Sequence, residues 1–516
     1  MRIGRSIFLG AVLVLLLLVG FACYSARSGV LTLPGGMVIS VDVMWHALSG
    51  AQAAAPDEAA LQERMVLPEG FSMETYATGL PNVRMLWVTP RGDLLATLPR
   101  SGEVWLIEPG ADGATGEPVR LLAGLDRPHG IDWHEGWLYI GEGSAIARVR
   151  FDPQTRQIEG EPERIVEGLP DGGNHWTRTV HVGPDRKLYV SVGSSCNVCE
   201  EKDPRRAAIL RYELDGTGEE IYADGLRNAV DFAWDPSDGE LYATDNGRDL
   251  LGDDFPPGEI NRIVRGGFYG WPYRNGSGVA DPDFGGRAPE REAVALSPAH
   301  ELPAHVAPLG IAFYTGDEFP ERYRGAAFVA LHGSWNRSRK QGYEVVMVRF
   351  AEDGSSESEN FISGFEIDEE VFGRPVGVAV GKDGELFVSD DYTGSIYRVR
   401  YGAPARPGPK PVADAAKPGR DPLAGLDPAA REASVAAGAL LWKRNDCASC
   451  HVDGQAGAPP RVLRQLGGRY DLASMRQFLR APQPPMPRYD LSSEQLQDLS
   501  IYLFARFGGE EEEPTP

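Results

Sequence analysis

The chain has 516 residues, of which 42% are hydrophobic, and this length is enough for several globular domains. Its formal net charge of −23 argues against a nucleic-acid partner, because nucleic-acid binding requires a basic surface. The same charge favours solubility and repels anionic lipid surfaces.

The N-terminal residues 1–24 have the pattern of an export signal. Arg2 and Arg5 precede an apolar run over residues 7–22, and this combination is typical of a signal peptide. The run is short for a membrane span, although the next two residues could extend it. We therefore expect either a cleaved signal peptide or a retained membrane anchor, followed by an Ala-rich tether over residues 25–66. Both alternatives place the rest of the chain in the periplasm.

Residues 67–402 contain one sequence phrase repeated six times. Each copy has an apolar pair, a turn rich in Pro, Asp or Gly, a strand of Leu-Tyr-Val type, a loop and a second strand. The copies begin at residues 85, 129, 180, 230, 309 and 376. Short alternating strands that repeat in this way predict the blades of a β-propeller. We therefore predict an all-β, six-bladed propeller, followed by a small all-α domain.

Imidazole, guanidinium and amide side chains recur at comparable positions between the predicted strands. Loops from all blades converge at one end of a propeller axis, so these side chains are expected to face one pocket. The candidates are His129, His175, Arg227, Asn228, His305, His332, Arg337 and Arg374.

Several motifs in the repeat region are similar to those of the glucose/sorbosone dehydrogenase family. They are Asn174-His175, Leu226-Arg227-Asn228, residues 258–263, the Tyr-Gly-Trp-Pro sequence within residues 266–272, and Gly373-Arg374. The resemblance spans most of residues 67–402. It implies a six-bladed propeller that binds pyrroloquinoline quinone (PQQ) and Ca²⁺ and oxidises sugars.

The resemblance also implies roles for individual residues. His175 matches the catalytic base, which takes the proton of a substrate hydroxyl. Arg227, Asn228 and Arg374 match cofactor-binding positions, where guanidinium groups suit the carboxylates of PQQ. The backbone carbonyls of Gly247 and Arg248 match the ligands of the cofactor's Ca²⁺. On the same charge logic, we add Arg178 and Arg337 to the predicted cofactor site. Their repeat-equivalent positions add His305 and His332.

Three positions depart from the pattern of the soluble glucose-oxidising members. Those members have a second Arg where this chain has Val376, and a Thr where it has His305. The segment 332–337 replaces an expected Lys. These differences favour the sorbosone-type branch of the family.

Cys196 and Cys199 form a second C-x-x-C sequence, but Glu200 follows it in place of an axial His. The pair is therefore not a haem site. In an oxidising compartment we expect a short-loop disulfide, with a redox-active dithiol as the alternative.

The C-terminal part carries a haem-attachment motif. A linker rich in Pro and Ala is predicted over residues 403–429. After it, Cys447, Cys450 and His451 form C-x-x-C-H, the signature of a covalent c-type haem whose iron the histidine ligates. The segment resembles a class I cytochrome c domain over residues 430–508, which precedes an acidic tail at residues 509–516.

Two methionines follow the motif. Met486 lies between prolines that stiffen its loop, and we predict that its sulfur is the second axial ligand of the haem iron. Met475 lies in an apolar pattern with helical spacing, which indicates packing.

The sequence as a whole predicts a periplasmic quinohaemoprotein dehydrogenase. An aldose, a polyol or a sorbosone-like substrate would be oxidised with PQQ, and the haem c would pass electrons to a respiratory electron acceptor. The alternative is a non-catalytic propeller that docks a partner while the cytochrome c domain transfers electrons. Tight PQQ binding distinguishes the two.

Overall fold

The computed structural model describes most of the chain as two compact units, Met1–Pro409 and Lys410–Pro516. The described residues are 52–109, 118–351, 353–402, 426–445, 447–451 and 491–507, the paired strands Val30–Thr32 and Val38–Ser40, and the single residues 423, 463, 466, 472, 475, 476 and 479. The predicted signal or anchor, most of the predicted linker, Met486 and the acidic tail lie outside them.

The first unit contains six antiparallel sheets of at least four strands, which we number as blades 1 to 6 in chain order. Blade 1 has the strands Leu86–Val88, Leu94–Leu98, Glu103–Ile107 and Val119–Leu122. Blade 2 has Ile131–His134, Trp137–Gly141, Ala145–Asp152 and Gln157–Glu167. Blade 3 has Val180–Val182, Leu188–Val192, Ala208–Tyr212, Glu220–Asp224 and the short parallel strand Gly267–Phe268.

Blades 4 and 5 follow the same order, and blade 6 closes the ring. Blade 4 has Ala229–Trp234, Leu241–Asp245, Pro257–Ile263 and His300–Ala304. Blade 5 has Pro308–Phe313, Ala327–Leu331, Glu344–Phe350 and Ser356–Ile362. Blade 6 has Pro375–Val380, Leu386–Asp390 and Ser395–Tyr401, and its fourth strand is the N-terminal Phe71–Ala77, with Met73 opposite Val399.

Small elements fill the connections of the first unit. Two short hairpins pair Arg274–Asn275 with Val279–Ala280 and Glu366–Ile367 with Glu370–Val371. Among the described residues of this unit, three short helices span Glu58–Arg64, Pro289–Glu292 and Glu321–Tyr323, the last being a 3₁₀ helix.

The hydrophobic core of the propeller lies between neighbouring blades. Six clusters of buried apolar side chains each join two successive blades, including one in which Leu94 and Leu98 of blade 1 pack with Phe387 and Ile396 of blade 6. No blade covers both of its faces alone, so closure of the ring completes the burial. This architecture confirms the predicted six-bladed propeller.

Hydroxyl groups at the inner strands also join neighbouring blades. Thr97 Oγ1 donates to the carbonyl of His129 at 2.8 Å, and Thr244 Oγ1 donates to that of Leu309 at 2.7 Å. Ser389 Oγ of blade 6 donates to the carbonyl of Arg84 at 2.5 Å. These bonds fix the backbone at the start of the next blade, and most predicted site residues lie close to such starts.

The second unit is helical in the part that the structure describes. Its helices are Pro428–Arg444, Ala448–His451 and Ser493–Phe507. A capping box opens the last of these helices, because Ser492 Oγ accepts from the Gln495 amide at 3.2 Å and the Gln495 side chain accepts from the Ser492 amide at 2.9 Å. Gly438 allows the two long helices to approach closely, since a Cβ there would lie 2.3 Å from the carbonyl oxygen of Asp498.

No helix among the described residues is both long enough and apolar enough to cross a bilayer.

Candidate functional site

His175 lies in the loop before blade 3 and is held by one serine. Its Nδ1 is 2.9 Å from the carbonyl oxygen of Ser194 and 3.0 Å from the hydroxyl of the same residue. Burial, followed by the charge of Arg227, lowers the pKa of His175 to about 3. The imidazole is therefore neutral at physiological pH, as a proton acceptor must be.

Asn228 lies beside His175, and Gly193 separates the two side chains. A Cβ at position 193 would lie 2.6 Å from both Asn228 Oδ1 and His175 Cβ. The backbone amide of Asn228 donates to Asp245 at 2.6 Å. Its Oδ1 is buried and has no hydrogen-bond donor among the described residues. A buried acceptor in this state is suited to a ligand that donates a hydrogen bond.

Arg227 is buried, and all of its donor nitrogens are engaged by the chain itself. Nε and Nη2 donate to the carbonyl and side-chain oxygens of Asn197, each at 2.9 Å. Nη2 also donates to Asp249 at 2.8 Å, and Nη1 donates to the carbonyls of Asn246 and Gly247 at 3.1 and 2.9 Å. Arg227 therefore links the loop of residues 246–254 to the segment that contains Asn197. We call this loop the 246–254 loop.

The same loop contacts two further predicted residues. His305 Nε2 lies 2.8 Å from the carbonyl of Gly252, and Arg337 donates to the carbonyl of Asp253 and, at 3.3 Å, to Asp254. The structure thus brings His305 and Arg337 to the 246–254 loop, where each supports the backbone.

Two predicted residues have buried guanidinium groups with protein partners. Arg178 is fully buried and donates to the backbone carbonyls of Thr177 and Pro170, so it supports the backbone around His175. Arg248 donates to both carboxylate oxygens of Asp281 at 2.7 Å. The predicted role of Arg248 concerned only its carbonyl, which these side-chain bonds leave unaffected.

A cavity of about 520 Å³ opens at the end of the propeller where the first strands begin. His332 and Arg374 are the predicted residues that line it, and Trp176, the neighbour of His175, lines it too. The sequence prediction missed the other charged residues of the wall: Arg84, Arg100, Arg127 and Asp391. Four arginines and one aspartate make this cavity an attractive site for an anion.

Asp391 connects two sides of the cavity. Its carboxylate accepts from His332 Nε2 at 2.9 Å and from Arg84 Nη1 at 2.7 Å. Burial opposes its ionisation, but His332 and Arg84 hold the pKa of Asp391 well below its usual range. Burial, followed by the charge of Arg374, lowers the pKa of His332 to about 4, so the imidazole is neutral and the carboxylate is charged.

The predicted disulfide between Cys196 and Cys199 is confirmed. The short loop that it closes, together with the preceding Ser194, contacts His175 and Arg227. Ser194 holds His175, Ser194 Oγ donates to the carbonyl of Cys196 at 2.7 Å, and Asn197 accepts from Arg227.

The haem-attachment motif lies at a helix in the second unit. Cys447 is buried, and its amide lies 3.2 Å from the carbonyl of Trp442. The Trp442 ring is 5.9 Å from the ring of His451. Cys450 is described only as part of the helix Ala448–His451, and Met486 lies outside the described residues, so their predicted roles stay predictions. Met475 is buried among the leucines of the domain, which confirms its role in packing.

These observations define the class of protein: a six-bladed propeller with a cationic cavity, joined to a domain with a c-type haem motif. The family model described as TrAA12-like matches residues 65–256 and 290–402, together more than half of the chain. The chain belongs to the TrAA12-like family. A second model, described as cytochrome c oxidase, cbb3-type, subunit III, matches residues 433–503.

Individual relatives agree with this assignment. An uncharacterised protein of Borreliella burgdorferi is 37% identical over 293 residues, which cover 54% of this chain and 76% of that protein. A PQQ-dependent pyranose dehydrogenase of Coprinopsis cinerea is 26% identical over 414 residues, which cover 65% of this chain and 54% of that protein. This chain therefore spans about half the length of the Coprinopsis relative.

A solved structure shows the same fold. The holo form of the PQQ domain of pyranose dehydrogenase from Coprinopsis cinerea matches with a TM-score of 0.58 and 22% identity, covering 67% of this chain and 98% of that domain. The two family models confirm both resemblances on which the sequence prediction rested, and the structural match confirms the propeller fold.

Proposed function

We propose that this chain is a PQQ-dependent sugar dehydrogenase that passes its electrons to its own covalent haem c. The observation that carries the proposal is a neutral, desolvated His175 next to a cationic cavity in a TrAA12-like propeller. The names of the Coprinopsis relative and its PQQ domain support the choice of quinone and of a sugar substrate. We further propose a periplasmic location, on the basis of residues 1–24 and the haem-attachment motif.

The described residues fit a quinone that carries carboxylates. The cavity wall supplies Arg84 and Arg374, and the buried Asn228 Oδ1 and Arg84 Nε have no hydrogen-bond partner among the described residues. When bound, PQQ would accept the two electrons that leave the sugar. Arg374 would bind a carboxylate of the quinone, and Asn228 would accept a hydrogen bond.

The structure is less compatible with the predicted Ca²⁺ site at the carbonyls of Gly247 and Arg248. The carbonyl of Gly247 accepts from Arg227 Nη1 at 2.9 Å, so a positive charge lies beside one of the two predicted Ca²⁺ ligands. The arrangement does not fit a cation at this carbonyl while Arg227 remains there. Calcium at the carbonyls of Gly247 and Arg248 therefore stays a prediction.

His175 would remove the proton of the substrate hydroxyl. Since Nδ1 faces the carbonyl of Ser194, Nδ1 carries the ring proton and Nε2 can accept another. Oxidation of a sugar hydroxyl to a carbonyl releases two electrons and two protons, one of which His175 would take. Arg227 lies near enough to disfavour the imidazolium, so the proton would be passed on readily.

The haem domain gives the electrons an exit. Cys447 and Cys450 would hold the haem, His451 would ligate its iron, and a respiratory acceptor would receive the electrons.

The test is to reconstitute the purified haem protein with PQQ and Ca²⁺, add neutral aldoses, and follow reduction of the haem by absorbance. Reduction that requires both PQQ and sugar supports the proposal. Tight PQQ binding without reduction by any sugar would refute electron transfer, and failure to bind PQQ would favour a docking propeller.

A further inference from the structure

Two arginines from neighbouring blades lie on the wall of the same cavity. Arg84 comes just before blade 1, and Arg374 just before blade 6. His332 and Asp391 line the wall with them, and Asp391 binds Arg84 while the carbonyl of His332 accepts from Arg374 at 3.1 Å. The ring closure between blades 6 and 1 thus places two guanidinium groups in one pocket.

The backbone of Arg84 is fixed on both sides. Its amide donates to the carbonyl of Thr97 at 2.9 Å, and its carbonyl accepts from Ser389 Oγ at 2.5 Å. The side chain is 12% exposed. Position 84 is therefore held rigidly at the cavity, as a binding residue requires.

The donors of Arg84 are only partly used. Nη1 donates to Asp391, whereas Nε is buried and has no acceptor within the part of the chain that the structure describes. A guanidinium has five N–H groups. In Arg227, by contrast, all three nitrogens Nε, Nη1 and Nη2 donate to protein acceptors. A buried donor without an acceptor is costly, so the unused edge of Arg84 is suited to an acceptor on a ligand.

We propose that Arg84, together with Arg374, binds a carboxylate group in this cavity. The inference rests on the proposed function and deepens it, because it assigns Arg84 as a second anion-binding residue beside Arg374. The second Arg of the glucose-oxidising members is replaced in this chain by Val376, which is fully buried and apolar. The planar guanidinium fork matches a carboxylate in shape and charge. The carboxylate belongs either to PQQ or to an acidic sugar such as a uronate, and the two sources share the same recognition chemistry.

The experiment compares ligand affinities of the haem-containing full chain without PQQ. Trp176 lines the cavity, so quenching of tryptophan fluorescence reports binding directly. PQQ and D-glucuronate are titrated separately into the wild type, Arg84→Gln, Arg84→Lys and Arg156→Gln. Arg156 is the matched control, because it also makes an ion pair between neighbouring blades, donating to Asp93 at 2.8 Å, yet is not part of the cavity wall.

Arg84→Gln is expected to weaken the affinity for one of the two probes about 10- to 100-fold. Arg84→Lys keeps the charge without the fork and should lie between the wild type and Arg84→Gln, whereas Arg156→Gln should match the wild type. A loss for PQQ identifies the cofactor as the source of the carboxylate, and a loss for glucuronate identifies an acidic substrate.

Unchanged affinities for both probes in a folded Arg84→Gln variant would overturn the proposal. If that variant does not fold, Arg84→Lys, which retains a cation beside Asp391, decides in its place. Failure of the wild type to bind PQQ would count against the proposed function, and glucuronate alone would then decide the role of Arg84. A wild type that binds neither probe overturns both.

Discussion

The imidazole Nδ1 of His175 lies 2.9 Å from the backbone carbonyl oxygen of Ser194. A carbonyl oxygen can only accept a hydrogen bond, so Nδ1 carries the ring proton and Nε2 keeps its lone pair. Ser194 Oγ donates its own proton to the carbonyl of Cys196, which leaves this oxygen able to accept from Nδ1 as well. The surroundings of His175 therefore select the tautomer that a general base requires.

Replacement of His175 by Gln should remove the base and leave the remainder of the site in place. We expect sugar-driven reduction of the haem to slow by about 10²- to 10⁴-fold, the usual contribution of a general base. Stopped-flow absorbance measures the rate, and reduction of the haem by dithionite serves as the control. A variant with the wild-type rate would remove His175 from this role.

The pH dependence of the reaction should lack the acid limb of an ordinary histidine. Burial and the nearby Arg227 lower the pKa of His175 to about 3, so the imidazole stays neutral from pH 8 down to pH 5. The rate of haem reduction at saturating sugar should therefore change little over that interval. Single-turnover measurements that show a fall centred near pH 6.5 would contradict the buried environment described for His175.

The disulfide between Cys196 and Cys199 should support catalysis indirectly, by holding the residues that position His175 and Arg227. The loop that it closes contains Asn197, which accepts from Arg227, and is preceded by Ser194, which orients His175. Replacing both cysteines by Ser should lower kcat for haem reduction about tenfold or more, because small displacements of catalytic groups are costly.

The control for this variant is the haem domain, which lies in the other unit of the chain. Its absorbance spectrum and its reduction by dithionite should match those of the wild type. Full sugar-dependent activity in the double Ser variant would show that the loop keeps its conformation without the disulfide.

Local patterns were enough to predict the blades and a closed ring, but not which strand closes it. The strands of every predicted phrase form because apolar alternation and turn residues lie close together in sequence. The strand Phe71–Ala77 instead pairs with Ser395–Tyr401, more than 300 residues away. No local signal indicates so distant a partner, whereas the structure buries Tyr76 and Ala77 of this strand together with Ile396 and Phe387 against blade 1.

The site was predicted in part, for a related reason. Residue type and repeat position identified His175 and Arg374, but Arg84 was missed although it precedes the first repeat much as Arg374 precedes the sixth. That repeat position was the available signal. For Arg178, charge alone gave no indication of burial, and the structure uses its guanidinium to bind backbone carbonyls of its own loop.

His181 should stabilise the propeller in a pH-dependent manner. It lies in the central channel between Asp231, 3.1 Å from Nε2, and Asp132, 3.7 Å from Nδ1. Burial lowers its pKa, but hydrogen bonds and charges of the two carboxylates outweigh burial and raise the pKa to about 10. The unfolded value is about 6.5, so this stabilisation is complete below pH 6.5 and is lost as the pH rises through 10.

The variant His181→Gln should lower the free energy of unfolding of the propeller by about 2 kcal/mol at pH 6, because a partly exposed pair is worth less than a fully buried one. The difference from the wild type should shrink towards pH 10. Urea unfolding followed by tryptophan fluorescence measures both. His300→Gln is the control, since burial lowers the pKa of His300 and its effect should not decrease in this way. A pH-independent loss for His181→Gln would refute the paired imidazolium.

The two methionines that follow the haem motif should behave differently when replaced. Met486 is the predicted axial ligand, and a His–Met pair raises the potential of a haem. Met486→Ala should therefore lower the midpoint potential by roughly 0.1 V or more. Met475 is 2% exposed and packs with Leu479 and Leu496, so Met475→Leu should lower the stability of the domain by less than about 1.5 kcal/mol without changing the potential. Redox titration of the haem absorbance measures the first effect and thermal unfolding the second. An unchanged potential in Met486→Ala would assign the sixth position of the iron to another group.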